Sequence, residues 1–208
     1  MIVLHTWTTP NGFKASIALE EMGLPYKVRP VNIGADEQFH PDFLKISPNN
    51  KIPAIVDEET GISVFETGAI LVYLAEKTGK FLPTSGEARY KVLEWLNWQM
   101  GGLGPMFGQL GHFAVFAPEK VPYALNRYTN EAKRLLGVLE TQLSKHAYVA
   151  GDDYTIADMA IYPWINTLRT FYQQEALLAD SPHIRAWFDK VGARPAVQKG
   201  MTVGKTAT

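Results

Sequence analysis

Thr9-Pro10-Asn11-Gly12-Phe13-Lys14 lies where a strand signal gives way to a helix signal. A helix start there offers free backbone N–H groups and the positive end of a dipole, and both favour an anion. A thiolate is such an anion. A free thiol of pKa ~8.5 is mostly protonated at pH 7, and a helix N-terminus lowers that value. The Thr9 hydroxyl and the Asn11 amide are further donors. The same residues serve equally well as an ordinary helix cap, and the segment by itself does not choose between the two. Phe65-Glu66-Thr67-Gly68-Ala69-Ile70 is a second junction of this type. N–H groups near Thr67 suit a carboxylate, and Glu66 beside them suits an ammonium. Together they match the two charged ends of an α-amino acid; an acid in a first helical turn is the plainer reading. Ile52-Pro53 precedes a strand signal. Only about 5–6% of X–Pro bonds are cis, so the pair by itself reads as trans. A cis bond there would expose the Ile52 backbone to an extended peptide ligand, which could pair as an added strand.

Other clusters read as structure. Thr155 and Asp158 have capping-box spacing, with aspartate replacing the usual glutamate, and Tyr154 and Met159 have staple spacing. Asp158 is therefore assigned to folding and not to catalysis. His5, His40, His112, His146 and His183 show no metal-ligand spacing. His5 alternates with apolar residues and reads as a sheet-face residue. Gly101, Gly102 and Gly104 have no following Lys-Ser/Thr and make no phosphate loop. Trp95 and Trp98 read as packing between domains.

The elements that must carry these clusters follow from the apolar pattern. Ile2 to Thr6 is a short strand; Phe13, Ile17, Leu19 and Met22 follow helical spacing up to Gly23; Tyr26 to Val31 alternates as a second strand. Two strands joined by a helix form a right-handed parallel unit. Lys51 to Asp57 and Ile62 to Phe65 flank a hairpin turn, and Ile70, Leu71, Leu74 and Ala75 line a helix that stops near Gly79. A βαβ unit followed by ββα is the thioredoxin-like arrangement. Leu82 to Gly86 has linker composition, and strand signals almost vanish after it. Helices are expected over Ala88–Met100, Tyr123–Leu143, Ile156–Thr170 and Ile184–Val191, with Gly101–Pro105 kinking or ending the first. The expected division is a thioredoxin-like domain over 1–82, a linker over 83–87 and an all-helical domain over 88–208. The tail from Gly200 lacks an apolar face and reads as loose.

Composition narrows the chemistry. The 208 residues carry a net charge of −1, which argues against a general nucleic-acid binder. There are no cysteines, so disulfide frameworks, thiolate zinc sites and a cysteine nucleophile are excluded together. Any thiol chemistry must borrow its thiol. No signal peptide and no membrane-spanning apolar run is visible, and a cytoplasmic location is the expectation.

A thioredoxin-like half, a short linker and an all-helical half resemble a cytosolic glutathione transferase over residues 2–197. Ser47-Pro48-Asn49-Asn50-Lys51-Ile52-Pro53-Ala54-Ile55 resembles that family's cis-proline loop. Phe65 to Ile70 resembles its γ-glutamyl-binding motif, and Tyr154 to Asp158 its capping box. Thr9-Pro10-Asn11-Gly12, Asn49-Asn50-Lys51 and the run from Trp98 to Met106 are similar to the Nu-class bacterial branch, associated with glutathione-dependent disulfide-bond reduction. The resemblance implies that Thr9 and Asn11 hold the glutathione sulfur and that the Ile52 backbone pairs with the cysteinyl unit beside a cis Pro53. Glu66 and Thr67 would hold the γ-glutamyl end, Gln38 and Lys51 the glycyl end, and Arg127 a further contact. It also implies a homodimer and a second substrate near Met106, Phe107, His112, Phe113 and Phe116. Many relatives place a tyrosine or serine near the end of the first strand; this chain has Trp7 and two threonines. Tyrosine-type conjugation is therefore disfavoured.

The resulting expectation is a thiol–disulfide oxidoreductase with glutathione as cosubstrate, no metal, and small or glutathionylated disulfides as substrates. Weak conjugating or peroxidase activity would use the same thiolate. The rivals are an ordinary conjugating transferase, a dehalogenase or isomerase that uses glutathione, and a non-catalytic glutathione-binding protein. Neither nucleic acid nor membrane is an expected partner.

Overall fold

The computed structural model describes residues 1–204 and divides into two compact units. The first comprises Met1–Thr84 together with the segment from Ala193 onward; the second is Ser85–Gly192.

The first unit is built on a four-stranded sheet in the order β2-β1-β3-β4. Strand β1 (Ile2–Thr6) pairs in parallel with β2 (Tyr26–Pro30) and antiparallel with β3 (Ala54–Asp57); β3 pairs antiparallel with β4 (Ile62–Phe65). Helix α1 (Pro10–Met22) joins β1 to β2, the four-residue helix α2 (Pro41–Leu44) precedes β3, and α3 (Thr67–Thr78) follows β4. Residues Ile2, Leu4 and Thr6 bury one face of β1, as a period of two requires. From Ala15 to Leu19 α1 is buried on all sides, which fits a helix enclosed by its neighbours rather than one lying at a surface. Gly23 and Gly79 end α1 and α3 in the left-handed conformation that costs glycine little.

The tail segment differs from expectation. Helix α9 (Pro195–Gly200), assigned from sequence to the all-helical domain of 88–208, packs along α1 within the first unit. Ser16 Oγ donates to the Gly200 carbonyl at 2.7 Å, and Arg194 forms a two-point pair with Glu21 at 2.6 and 2.7 Å. A Cβ on Gly200 would lie 2.7 Å from the Ile17 Cα, so the close approach requires glycine. Gly200, expected to begin a loose tail, is thus anchored; Lys205 to Thr208 lie outside the described residues.

The hairpin between β3 and β4 is held by Asp57, whose side chain is fully buried. Tyr73 Oη donates to it at 2.6 Å, Lys77 Nζ lies at 2.9 Å, and the Glu59 N–H donates at 3.0 Å. Burial alone would raise this carboxyl, but the donors from Tyr73, Lys77 and Glu59 win and hold it at about 2. A carboxyl lowered in the folded state stabilises above its unfolded value of about 3.9, and that stability is lost as pH falls toward the folded value. The melting temperature should therefore drop steeply as pH falls from 4 to 2. Asp57→Asn should melt lower at pH 7 and lose part of this acid-side slope, as thermal melts across that range would show.

The second unit is helical: α4 (Gly86–Trp98), α5 (Gly104–Gly111), α6 (Pro122–Leu143), α7 (Ile156–Thr170) and α8 (Pro182–Gly192). Its core gathers Leu103, Phe107, Leu110, Leu135, Leu139, Ile161, Ile165 and Leu168. Gly101 to Pro105 does not end the helix. The chain passes from α4 through a π-helical turn at Gln99–Leu103 into α5, and leaves it through a second at His112–Phe116. Gly104 and, farther along, Gly111 serve close packing instead, whereas Gly101 faces open space. A Cβ on Gly104 would sit 3.1 Å from the Trp164 indole nitrogen, and one on Gly111 would fall inside the Tyr172 ring. Trp95 and Trp98, one turn apart on α4, meet edge to face at 5.1 Å.

Candidate functional site

The start of α1 is shaped by Thr9. Its backbone is extended (φ −135°, ψ 162°), and its Oγ1 accepts from the Gly12 N–H at 3.1 Å. Pro10 at the first helical position has no N–H to satisfy, and the Phe13 N–H bonds the Thr9 carbonyl at 3.0 Å. The Asn11 N–H therefore has no acceptor within the helix. Both readings of Thr9 hold together: its oxygen caps the helix with a lone pair while its own O–H proton stays free to donate. Thr9 and Asn11 are half-buried. Gly12 lets the helix start against the strand end, since a Cβ there would strike the Trp7 carbonyl and lie 2.6 Å from Thr6 Oγ1.

The start of α3 is the second donor surface. Glu66 precedes it with a positive φ of 68° and makes no side-chain cap. Ile70 N–H bonds the Glu66 carbonyl at 2.9 Å, which leaves the N–H groups of Gly68 and Ala69 without intrahelical acceptors. Glu66 is exposed, whereas Thr67 is 7% exposed. Asn49 Nδ2 donates to Glu66 Oε1 at 3.2 Å and so ties the loop before β3 to this helix start.

In that loop the Ile52–Pro53 bond is cis. Ile52 lies ahead of the first ladder pair, His5 with Ala54, so its backbone groups take no part in the sheet. Lys51 is exposed, and its carbonyl accepts from Ser47 Oγ at 2.8 Å. Among the described residues its ammonium forms no ion pair. Gln38 lies in a short 3₁₀ turn, Glu37–Phe39, with Nε2 3.4 Å from Asp36 Oδ1. Its Oε1 is buried and has no hydrogen-bond partner among the described residues. An orphaned acceptor of this kind is costly unless a ligand donor meets it.

Thr9, Asn11, Lys51, Ile52, Pro53, Glu66 and Thr67 lie in the first unit, on loops and helix starts around the ends of β1, β3 and β4; Gln38 lies in the same unit, in the turn that follows β2. Arg127 lies in the second unit, exposed on α6, in a groove lined also by Tyr123, Asn126, Asn130 and Glu131. Of the residues expected near a second substrate, Phe107 is fully buried in the core of that unit and so does not face one. Phe113 stacks on Tyr128 at 5.6 Å, and Phe116, 57% exposed, lies against Phe171. His5 faces Phe43 at 6.2 Å, and burial, with the nearby Arg29 charge, lowers its pKa. No group of His, Asp or Glu side chains suited to a metal occurs among the described residues.

One residue escaped the sequence reading. Lys14 is 1% exposed, with Nζ 3.4 Å from Thr67 Oγ1. Its spacing was the available signal, because it sits three and four residues before the buried Ile17 and Ala18.

Residues 1–76 match the family description "Glutathione S-transferase, N-terminal domain", and residues 104–195 match "Glutathione S-transferase, C-terminal domain". Over 206 residues the chain is 46% identical to the disulfide-bond oxidoreductase YfcG of Escherichia coli (strain K12), covering 97% of this chain and 94% of that one. A glutathione transferase family member from Pseudomonas fluorescens, solved with two glutathione bound, superposes with a TM-score of 0.93. It is 47% identical, over 96% of this chain and 92% of that one. A glutathione transferase from Pseudomonas putida, solved with one glutathione disulfide per subunit, superposes with a TM-score of 0.92 at 43% identity, over 97% and 91% of the two chains.

Proposed function

We propose a function from one premise: the chain belongs to the glutathione S-transferase family. It is a glutathione-dependent thiol–disulfide oxidoreductase that reduces small or glutathionylated disulfides. The observation that carries this reading is the start of α1, where Thr9 caps with a lone pair and keeps its proton for an anion. Glutathione supplies the thiol that a chain without cysteine lacks.

Glutathione enters with its γ-glutamyl carboxylate on the start of α3 and its ammonium toward Glu66. Its cysteinyl backbone pairs with Ile52 beside Pro53. Gln38 and Lys51 meet the glycyl end, where the orphaned Gln38 Oε1 gains an N–H donor. The sulfur then lies at the start of α1, held as thiolate by the Thr9 hydroxyl and Asn11. The thiolate attacks one sulfur of the disulfide substrate; a new S–S bond forms and the other sulfur leaves as a thiolate that takes a proton. A second glutathione thiolate attacks the mixed disulfide, forms glutathione disulfide and releases the second substrate thiol. Two glutathiones supply the two electrons. The relatives solved with two glutathiones and with glutathione disulfide support a site with room for both. A homodimer in the glutathione-rich cytoplasm is part of the same reading.

The test follows glutathione oxidation with 2-hydroxyethyl disulfide, beside conjugation of 1-chloro-2,4-dinitrobenzene on one preparation. Strong disulfide turnover with weak conjugation is expected. Conjugation alone would move the assignment to an ordinary transferase. Silence in both with glutathione still bound would make the protein a binder.

A further inference from the structure

Asn11 is followed by glycine, and no other asparagine in the chain is. Asn–Gly is the pair most prone to deamidation, because glycine puts no side chain beside its own backbone nitrogen and lets the chain turn freely. The Gly12 nitrogen, once its proton is lost, attacks the Asn11 side-chain carbon. A nitrogen–carbon bond forms, the side-chain amide leaves as ammonia, and a succinimide ring remains. Water then opens the ring to aspartate or isoaspartate. No electrons are exchanged, and water is the only co-reactant.

A bulkier residue after the asparagine would slow this reaction, but the fold forbids one. A Cβ on Gly12 would strike the Trp7 carbonyl and lie 2.6 Å from Thr6 Oγ1. The start of α1 opposes the reaction in another way. The Gly12 N–H donates to Thr9 Oγ1 at 3.1 Å, which holds the attacking nitrogen in its protonated form. Asn11 is the second residue of α1, and its helical backbone keeps that nitrogen out of line with the side-chain carbon. Ring closure therefore waits on opening of the first turn, a local event cheaper than unfolding the whole unit. Asn11 is only half-buried, so water reaches the opened turn.

We propose that Asn11 is a deamidation site that the fold cannot shed, and that the Thr9 cap on Gly12 holds the reaction back. What the modification costs rests on the reading that Asn11 holds the glutathione sulfur. A carboxylate in place of the amide has no proton to donate and repels a thiolate, so the bound thiol returns toward its free pKa and turnover falls. Isoaspartate also lengthens the main chain by one carbon ahead of Gly12 and displaces the N–H that Thr9 accepts. The helix tolerates the new charge, since an anion in a first turn is favourable. The change thus spares the fold and strikes the site.

The test is incubation at pH 9 and 37 °C, with peptide mapping by mass and disulfide turnover followed on the same samples. The wild type should deamidate at Asn11 before any other asparagine, and turnover should fall in step with the modified fraction. Thr9→Val should react roughly fivefold faster, the shift in opening expected when a helix start loses its cap. Thr9→Ser, which keeps the acceptor, should match the wild type. Asp57→Asn weakens the same unit away from α1 and should leave the Asn11 rate within about twofold. Wild type unfolded in urea should react about tenfold faster than native protein, or more, and this comparison holds even if Thr9→Val does not fold. Equal rates in Thr9→Val and wild type, an equal acceleration in Asp57→Asn, or faster loss of another asparagine would overturn the proposal. So would equal rates in native and unfolded protein. Modified protein with full turnover would instead remove Asn11 from the sulfur site, a failure of that reading which the mass data distinguish from failure of the modification.

Discussion

Asp158→Ala is expected to lower the melting temperature by roughly 10–20 °C. The carboxylate is fully buried in the second unit. It accepts from the Val149 N–H at 3.0 Å, the Thr155 N–H at 2.9 Å, the Thr155 hydroxyl at 3.2 Å and the Trp187 indole at 2.8 Å. Burial pushes its pKa up, and these four donors pull against that push. Alanine would strand all four. Each stranded buried donor costs about 1–3 kcal/mol, and a total on the order of 5 kcal/mol allows for non-additivity and water entry. At this chain length each kcal/mol moves the midpoint by about 2–4 °C. Asp158→Asn keeps the volume but turns an NH₂ toward N–H and O–H groups, so it should recover little. A calorimetric midpoint within about 3 °C of wild type would show that the network is not what holds the start of α7 to the loop at Val149 and to α8.

The capping box behind this prediction was legible because its partners are close in sequence: Thr155 and Asp158 form the reciprocal pair that their spacing announced. The sheet was legible for the same kind of reason, since alternation and turn residues fix strands locally. What the sequence did not yield depends on partners distant along the chain. Gly104 reads as part of a break until Trp164 is seen against it, and nothing local marks Gly111 as the seat of the Tyr172 ring. Trp187 closes the Asp158 network from α8, with no local sign of it. The tail from Gly200 reads as loose because its anchor, Ser16 on α1, is far away in the chain. Residue type alone does not mark Lys14 as buried, because a helical lysine ordinarily reaches solvent. Its phase with Ile17 and Ala18 does. At the site, Thr9 and Glu66 were legible as helix-start residues, but not whether they cap. Thr9 does, through its lone pair; Glu66 does not, and that leaves the start of α3 open.

The lone-pair distinction at Thr9 determines what a mutation there should do. Thr9→Val keeps the branched shape and removes only the hydroxyl. It should lower kcat/KM for 2-hydroxyethyl disulfide by about 10²-fold, the usual cost of removing one preorganised donor to a reacting anion. That is about 2.7 kcal/mol of barrier. The helix itself should lose only about 1 kcal/mol from the missing cap, so the fold persists. Affinity should change far less, because in the proposed binding mode the γ-glutamyl and glycyl ends would be held elsewhere, by Glu66, Thr67, Gln38 and Lys51. The mechanism predicts a spectroscopic signature as well. With its donor gone, the bound thiol should titrate about one to two units higher, toward the free value of ~8.5, in thiolate absorbance near 240 nm. The rate loss should accordingly shrink as pH rises, since bulk deprotonation replaces what the hydroxyl supplied. Thr9→Ser keeps both lone pair and proton and should recover most of the activity. Adding Asn11→Ala to Thr9→Val should deepen the loss. A Thr9→Val enzyme with wild-type turnover and an unshifted thiolate titration would remove Thr9 from the sulfur site, and the same result for the Thr9→Val, Asn11→Ala pair would remove the sulfur from the start of α1.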